Sequence, residues 1–362
     1  MKTDSKQLGT RITALRGNDQ LLYFTSSSLA REDKTLVFLS DRTGSPNLFR
    51  IDLATSEETQ LTRHDEGLLK SYVYFDGLPY RGFGKASVSL DSQRGQIYYI
   101  HGREIRVVNL EGRGRVLAEL PPRQMTAFTH ISHDGSRLCV PTTDARALDD
   151  ERPLPARLPG YDVDGRVQEE ALSSYLRIYE TATGREIETV PVPKAWVTHV
   201  QFSPVDASLI LYNHEWASFD TGIRRMWMWD GRRHLPLRSE GGTDGPWTRS
   251  RHDWVCHEMW ERDGSALIYH GSYHNGPAFL GRMRADGTGV REIALPDDWK
   301  QYGHFTVGRP NQLVSDGYYQ TPETAGPGNG RWIAGLQVDW DAGKIEWHPL
   351  CQHGSSWASQ DA

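Results

Sequence analysis

The sequence predicts an all-β chain: a seven-bladed β-propeller whose last blade is incomplete within these 362 residues. Three observations carry that prediction. A strand–turn–strand–turn–strand unit recurs six times along the chain, with a period of ~40 to 50 residues that suits propeller blades. Helical spacing of apolar residues is nearly confined to 165–176, and elsewhere the apolar runs have strand length. Hydrophobic residues make up 37% of the chain and the mean hydropathy is −0.60, which suits many thin sheets better than one large core.

The clearest unit is "DKTLVFLSDRTGSPNLFRIDLATSEETQLT", residues 33–62. A Leu/Val/Phe strand meets the polar turn "SDRTGSPN", "LFRIDL" forms a second strand, "ATSEE" turns, and "TQLT" begins a third. "RGQIYYIHGREIRVVNLEGRGRVLAEL" (94–120) repeats the order. So do "DGSRLCVPTTD" with "LRIYETATGREIETVPV", "DASLILYNHE" with "RRMWMWDGRRHLPL", "DGSALIYHGSY" with "FLGRMRADGTGVREIAL", and "NQLVSDGYY" with "WIAGLQVDWDAGKIEWHPL". The Pro-rich, charged insertion 147–175 reads as a loop with one short helix, either a surface excursion or a lid over a site. "TRITAL" (10–15) reads as a lone outer strand of a seventh blade whose inner strands would follow the C-terminal segment. The whole, residues 1–362, is expected to be a single propeller domain.

A net charge of −6 gives no basic field to attract nucleic acid, so an acidic ligand must be met by a local basic pocket. Twelve Trp and fifteen Tyr favour strands and carbohydrate-sized grooves. Cys139, Cys256 and Cys351 are odd in number and far apart, which is not a disulfide framework and fits a reducing compartment. "MKTDSKQLGTRITAL" lacks the apolar core of a signal peptide, and no run of ~18 apolar residues is long enough to span a membrane. A soluble cytoplasmic protein is the expectation.

Propellers carry function on inner strands and their loops, so polar residues there are the candidates. His199 in "AWVTHVQFSP", His257 in "WVCHEMWERDGSALIYHG" and His304 in "QYGHFTVGRP" occupy equivalent places in three repeats. Neutral imidazoles converging from separate strands can bind Mn²⁺ or Zn²⁺, and one alone can serve as a general base. Arg224 and Arg225 precede an aromatic strand whose alternation turns one of them toward a site; a guanidinium there suits a carboxylate. His214 and Glu215 end the strand before it. No nucleophile elbow, P-loop or dinucleotide fingerprint is present, and "RGFGK" (81–85) reads as a close backbone turn.

"CHEMWERDGSALIYHGSY", "IRRMWMWDG", "GHFTVGRPNQLVSDG" and "HGSSWASQDA" together resemble the oligogalacturonate lyases, the family 22 polysaccharide lyases. The resemblance covers nearly the whole chain; the repeat itself is shared with TolB-like propellers, which leaves a non-catalytic binding module as the competing class and a lyase of another uronide as a further one. The resemblance implies β-elimination of short α-1,4-linked galacturonides with bound Mn²⁺, and an acidic oligosaccharide as partner. Carried over by motif, His257 would be the base that removes the C5 proton and Arg225 would bind the substrate carboxylate. His199 and His214 would join Arg225 in binding the substrate. His304 and Gln360 would be metal ligands, with two further histidines expected beyond Ala362. Where the family has a His-Arg pair, this sequence reads "RGNDQLLYF", with Arg16 a loose match.

Overall fold

A computed structural model describes residues 17, 19–65, 87–147, 162–215, 225–238, 253–274, 276–296, 299–300, 303–316, 318–319 and 332–352. They group into two compact units, one holding the described residues up to Leu235 and the other those from Pro236 onward.

The first unit carries four antiparallel sheets in chain order. Blade one is Asp19–Leu21, Thr35–Ser40, Asn47–Asp52 and Glu58–Gln60, with Leu29–Ala30 also on its second strand. Blade two is Val88–Asp91, Gln96–His101, Glu104–Asn109 and Gly114–Glu119. Blade three is Gln124–Thr126, Arg137–Asp144, Ser173–Glu180 and Glu186–Pro193, with His130–Ile131 added. Blade four is Val200–Phe202, Ile210–Asn213, Met226–Trp229 and His234–Pro236. In the second unit, blade five is Trp254–Trp260, Leu267–Ser272, Ala278–Met283 and Arg291–Ala294. Blade six is Phe305–Val307, Gln312–Ser315, Trp332–Asp339 and Lys344–Gln352, and the pair Trp299–Lys300 with Tyr318–Tyr319 forms a separate ribbon. This is an all-β propeller fold with nearly no helix.

Six blades stand among the described residues, not the seven expected. Each of the six sequence repeats supplies one four-stranded meander, so the repeats are used up. The seventh was inferred from the termini, and residues 10–15 and 353–362 lie outside the described residues, as do 81–85.

Strand periodicity explains how such thin sheets hold together. Side chains alternate between faces, and in blade two Ile97 and Tyr99 join a core with Val37, Leu39 and Leu48 of blade one. Tyr98 and Ile100 point the other way, into a core with Leu138, Val140 and Tyr179 of blade three. Cys139, between Leu138 and Val140, turns instead toward Phe202, Ile210 and Tyr212 of blade four. Each middle strand is therefore buried on both faces, which is why the sequence shows continuous apolar runs rather than strict alternation. Fully burying one such side chain stabilises by about 1.5–3 kcal/mol.

The turns follow one chemistry. Asp134 accepts hydrogen bonds from the Ser136 amide and hydroxyl at 3.0 and 2.8 Å, and Gly135 between them takes φ +68°. Asp263, Gly264 (φ +70°) and Ser265 repeat this in blade five, with a Ser265 amide bond of 2.9 Å. A carboxylate closing the turn and a residue free to adopt positive φ fit these tight hairpins.

The insertion contains the helix Asp162–Glu169, whose Val163 and Val167 pack with Ala147, Leu172 and Trp196; residues 148–161 lie outside the described set. No described helix is long and apolar enough to cross a membrane.

Candidate functional site

In the second unit the site is built on an irregular inner strand. Cys256 pairs with His270 and Met259 with Ile268, so His257 and Glu258 together oppose Tyr269 alone. This is a β-bulge, a device that re-aims a side chain. His257 takes φ +50° within it, a left-handed conformation uncommon outside glycine, asparagine and aspartate. The bulge brings the half-buried His257 ring to 4.3 Å, centroid to centroid, from the ring of His304.

Hydrogen bonding assigns a tautomer to His257. Its Nδ1 lies 2.8 Å from the carbonyl oxygen of Gly303 and 2.8 Å from Nε2 of His270. A carbonyl only accepts, so in the tautomer that satisfies it Nδ1 carries the hydrogen and donates it, and His270 Nε2 is an acceptor. The lone pair is left on Nε2, and a neutral imidazole held this way is a base with a defined direction. His270 is fully buried, with the rings of Trp254 and Phe305 at 5.6 and 6.0 Å.

Asp316 holds the Gly303–His304 segment. It accepts from the His304 backbone N–H, and its own N–H donates to the His304 carbonyl at 3.2 Å. The Ser315 hydroxyl donates to the same carbonyl at 3.2 Å. A Cβ on Gly303 would stand 1.9 Å from Asp316 Oδ1, so only glycine lets the chain pass here. Asp316 Oδ2 also lies 3.7 Å from His304 Nδ1.

Two donor sets in this unit bear on metals. His304 with Asp316 offers an imidazole and a carboxylate, the nitrogen and oxygen donors that Mn²⁺ accepts. Among the described residues, Cys256, His257 and His270 also bring one ligand atom each to within 4.8 Å of one another; this set contains sulfur and is softer. Gln360, the second predicted ligand, lies outside the described residues. A cavity of about 920 Å³ elsewhere in the unit, lined by residues including Arg282, Arg284, Arg291, Trp340 and Lys344, contains none of the predicted site residues.

In the first unit the remaining candidates gather on blade four. Arg225, 4% exposed, places its guanidinium 3.4 Å from the Glu215 carboxylate. The same carboxylate oxygen accepts from the Thr198 hydroxyl at 2.6 Å and from Asn213 Nδ2 at 2.8 Å. Asn213 Oδ1 accepts from the amides of Thr198 and His199, and the Arg225 carbonyl accepts from the His214 amide at 2.8 Å. His199 is buried among Tyr23, Phe24 and Phe128, with Nε2 3.3 Å from the Tyr23 hydroxyl. His214 is also buried, its ring stacked 5.1 Å from that of Trp227. Burial, aided by the nearby His234, pushes its pKa down to about 3. Arg16 and Arg224 lie outside the described residues.

Sequence reasoning thus named His257 and His304, which the fold brings together, and His199, His214 and Arg225, which share one hydrogen-bonded cluster. It missed Cys256, His270, Gly303 and Asp316. The available signal was the second His in "IYHGS" and the Asp in "VSDG", each closing the strand that pairs with an inner His-bearing segment.

No family model and no curated protein sequence matches the chain. Solved structures do. An oligogalacturonate lyase in complex with manganese superposes with a TM-score of 0.70 at 20% identity, covering 96% of this chain and 81% of that one. An oligogalacturonate lyase from Vibrio parahaemolyticus gives 0.69 at 19% identity, covering 96% and 82%. A puromycin-hydrolyzing peptidase of Mycobacterium tuberculosis gives 0.52 at 14% identity, over 95% of this chain and 47% of that one. At these identities the likeness is one of fold.

Proposed function

We propose that the chain is an oligogalacturonate lyase that cleaves short α-1,4-linked galacturonides by β-elimination. The observation that carries this reading is the His257 imidazole, aimed by a bulge and held 2.8 Å from the Gly303 carbonyl oxygen, within a fold like that of solved oligogalacturonate lyases. In the proposed reaction, Nε2 takes the C5 proton of the uronate and the electron pair forms the C4–C5 double bond. The C4–O bond breaks, and the departing oxygen collects a proton from water. The products are a shortened galacturonide and a 4,5-unsaturated uronate.

Removing the C5 proton pushes charge onto the adjacent carboxylate. The motif resemblance alone gives Arg225 the role of binding a substrate carboxylate, and its planar fork suits two oxygens. Glu215 pairs with Arg225 at 3.4 Å, and the Thr198 hydroxyl donates to the same carboxylate. His304 is proposed as a metal ligand, with Asp316 beside it and Gln360 as a second ligand. A divalent cation such as Mn²⁺ bound there would supply Lewis-acid stabilisation of the charged carboxylate.

The test is incubation of digalacturonate with the protein and Mn²⁺, following the ultraviolet absorbance of the unsaturated product. His257→Asn tolerates the left-handed backbone and removes the base. It should lower kcat by ~10²- to 10⁴-fold, the usual share of a general base, with an unchanged circular dichroism spectrum. No unsaturated product from the parent protein, or a near-parental rate in the variant, would refute the proposal.

A further inference from the structure

We propose that Cys256, His257 and His270 form an inhibitory site for Zn²⁺ that captures the base of the lyase reaction. This inference rests on the reading of His257 given above, but the binding it predicts can be measured without turnover.

Cys256 and His270 are direct cross-strand partners, so their side chains leave the same face of blade five. The bulge adds His257 beside them, and the three ligand atoms lie within 4.8 Å of one another. His257 Nδ1 and His270 Nε2 are 2.8 Å apart, a hydrogen-bond distance, and parting them by about 0.5 Å gives the spacing of two nitrogens held at ~2.0–2.1 Å on a tetrahedral Zn²⁺. One sulfur and two imidazole nitrogens are a Zn²⁺ donor set and a poor one for Mn²⁺. Three protein ligands leave a fourth position for water. Cys256 and His270 are buried, whereas the half-buried His257 gives the ion its way in.

Capture also explains inhibition at the level of protons. Zn²⁺ binding converts the Cys256 thiol to a thiolate and releases that proton to solvent. To offer Nδ1 to the ion, His257 must give up its bond to the Gly303 carbonyl and carry its hydrogen on Nε2 instead. The nitrogen assigned to take the C5 proton is then an N–H group with no lone pair. The ion need not touch the sugar to stop the reaction.

Co²⁺ is the spectroscopic probe. Titrated into the full chain, it should produce a near-ultraviolet thiolate-to-cobalt charge-transfer band that saturates at one ion per chain and is absent in Cys256→Ser. Zn²⁺ affinity, measured by calorimetry with Mn²⁺ present, should fall at least ~10-fold in Cys256→Ser, the loss that even outer-sphere partners of a metal cause. Without Zn²⁺ that variant should keep parental lyase activity, and it should resist Zn²⁺ inhibition. Cys256→Ala, which preserves the apolar contact, provides a second variant should the serine disturb folding. The absence of the band, or equal Zn²⁺ affinity in parent and variants, overturns the site. An inactive protein that still shows the band would sink the lyase reading and leave the metal site standing.

Discussion

His214 shows how a single buried side chain ties stability to pH. Its Nδ1 has no hydrogen-bond partner among the described residues, and burial holds the pKa near 3 against an unfolded value of about 6.5. The folded pKa is depressed, so the ring is neutral in the fold and takes up a proton when the chain unfolds. Its contribution is fully present above about pH 6.5 and is lost as pH falls from there toward about 3. His214→Leu removes this titration. The stability of the parent should therefore fall more steeply than that of the variant between about pH 6.5 and 4, by up to about 1.4 kcal/mol per pH unit. Parallel slopes in urea melts across that range would remove His214 from this role. Such residues were only half legible beforehand. His257 and His304 could be picked out because each sits in phase with a repeat. His270, Gly303 and Asp316 could not, because their contacts depend on a register that the bulge shifts and on a backbone crossing where no side chain fits.

Blade five illustrates stabilisation at the scale of an element. Arg238 donates to Glu292 at 2.6 Å and to Asp253 at 2.9 Å, with its guanidinium 4.9 Å from the centre of the Phe279 ring. Burial alone would raise the pKa of Glu292. The hydrogen bonds and charge of Arg238, with the hydroxyls of Tyr269 and Tyr273, outweigh it and hold the carboxyl below its usual value. Removing one partner from such a buried network strands the others, at a cost of about 3–5 kcal/mol. Arg238→Met, which keeps much of the side-chain volume, should lower stability by about that amount in denaturant melts; a change within about 0.5 kcal/mol would show that water replaces the arginine. The strands of this blade and its Asp-Gly-Ser turn were plain in the sequence, since both depend on neighbouring letters. The bulge was not, because it is a mismatch between two strands and neither strand carries it alone.

At the scale of the whole molecule, repetition was legible and closure was not. Six repeats gave six blades, whereas a seventh had to be assembled from residues that belong to no complete repeat. Within the first unit, what joins one blade to the next is the two-sided burial of the middle strands. Ile97 and its cross-strand partner Val108 share one core, and Val107 belongs to the next. Ile97→Ala with Val108→Ala should therefore deviate from additivity by at least about 0.5 kcal/mol. Ile97→Ala with Val107→Ala should add to within about 0.3–0.5 kcal/mol. Equal coupling in the two pairs would mean that the cores are not separate. A lineage altering this strand would accordingly change alternate positions in concert and let consecutive ones drift independently, so its history would be written as two interleaved texts, each read by a different neighbour.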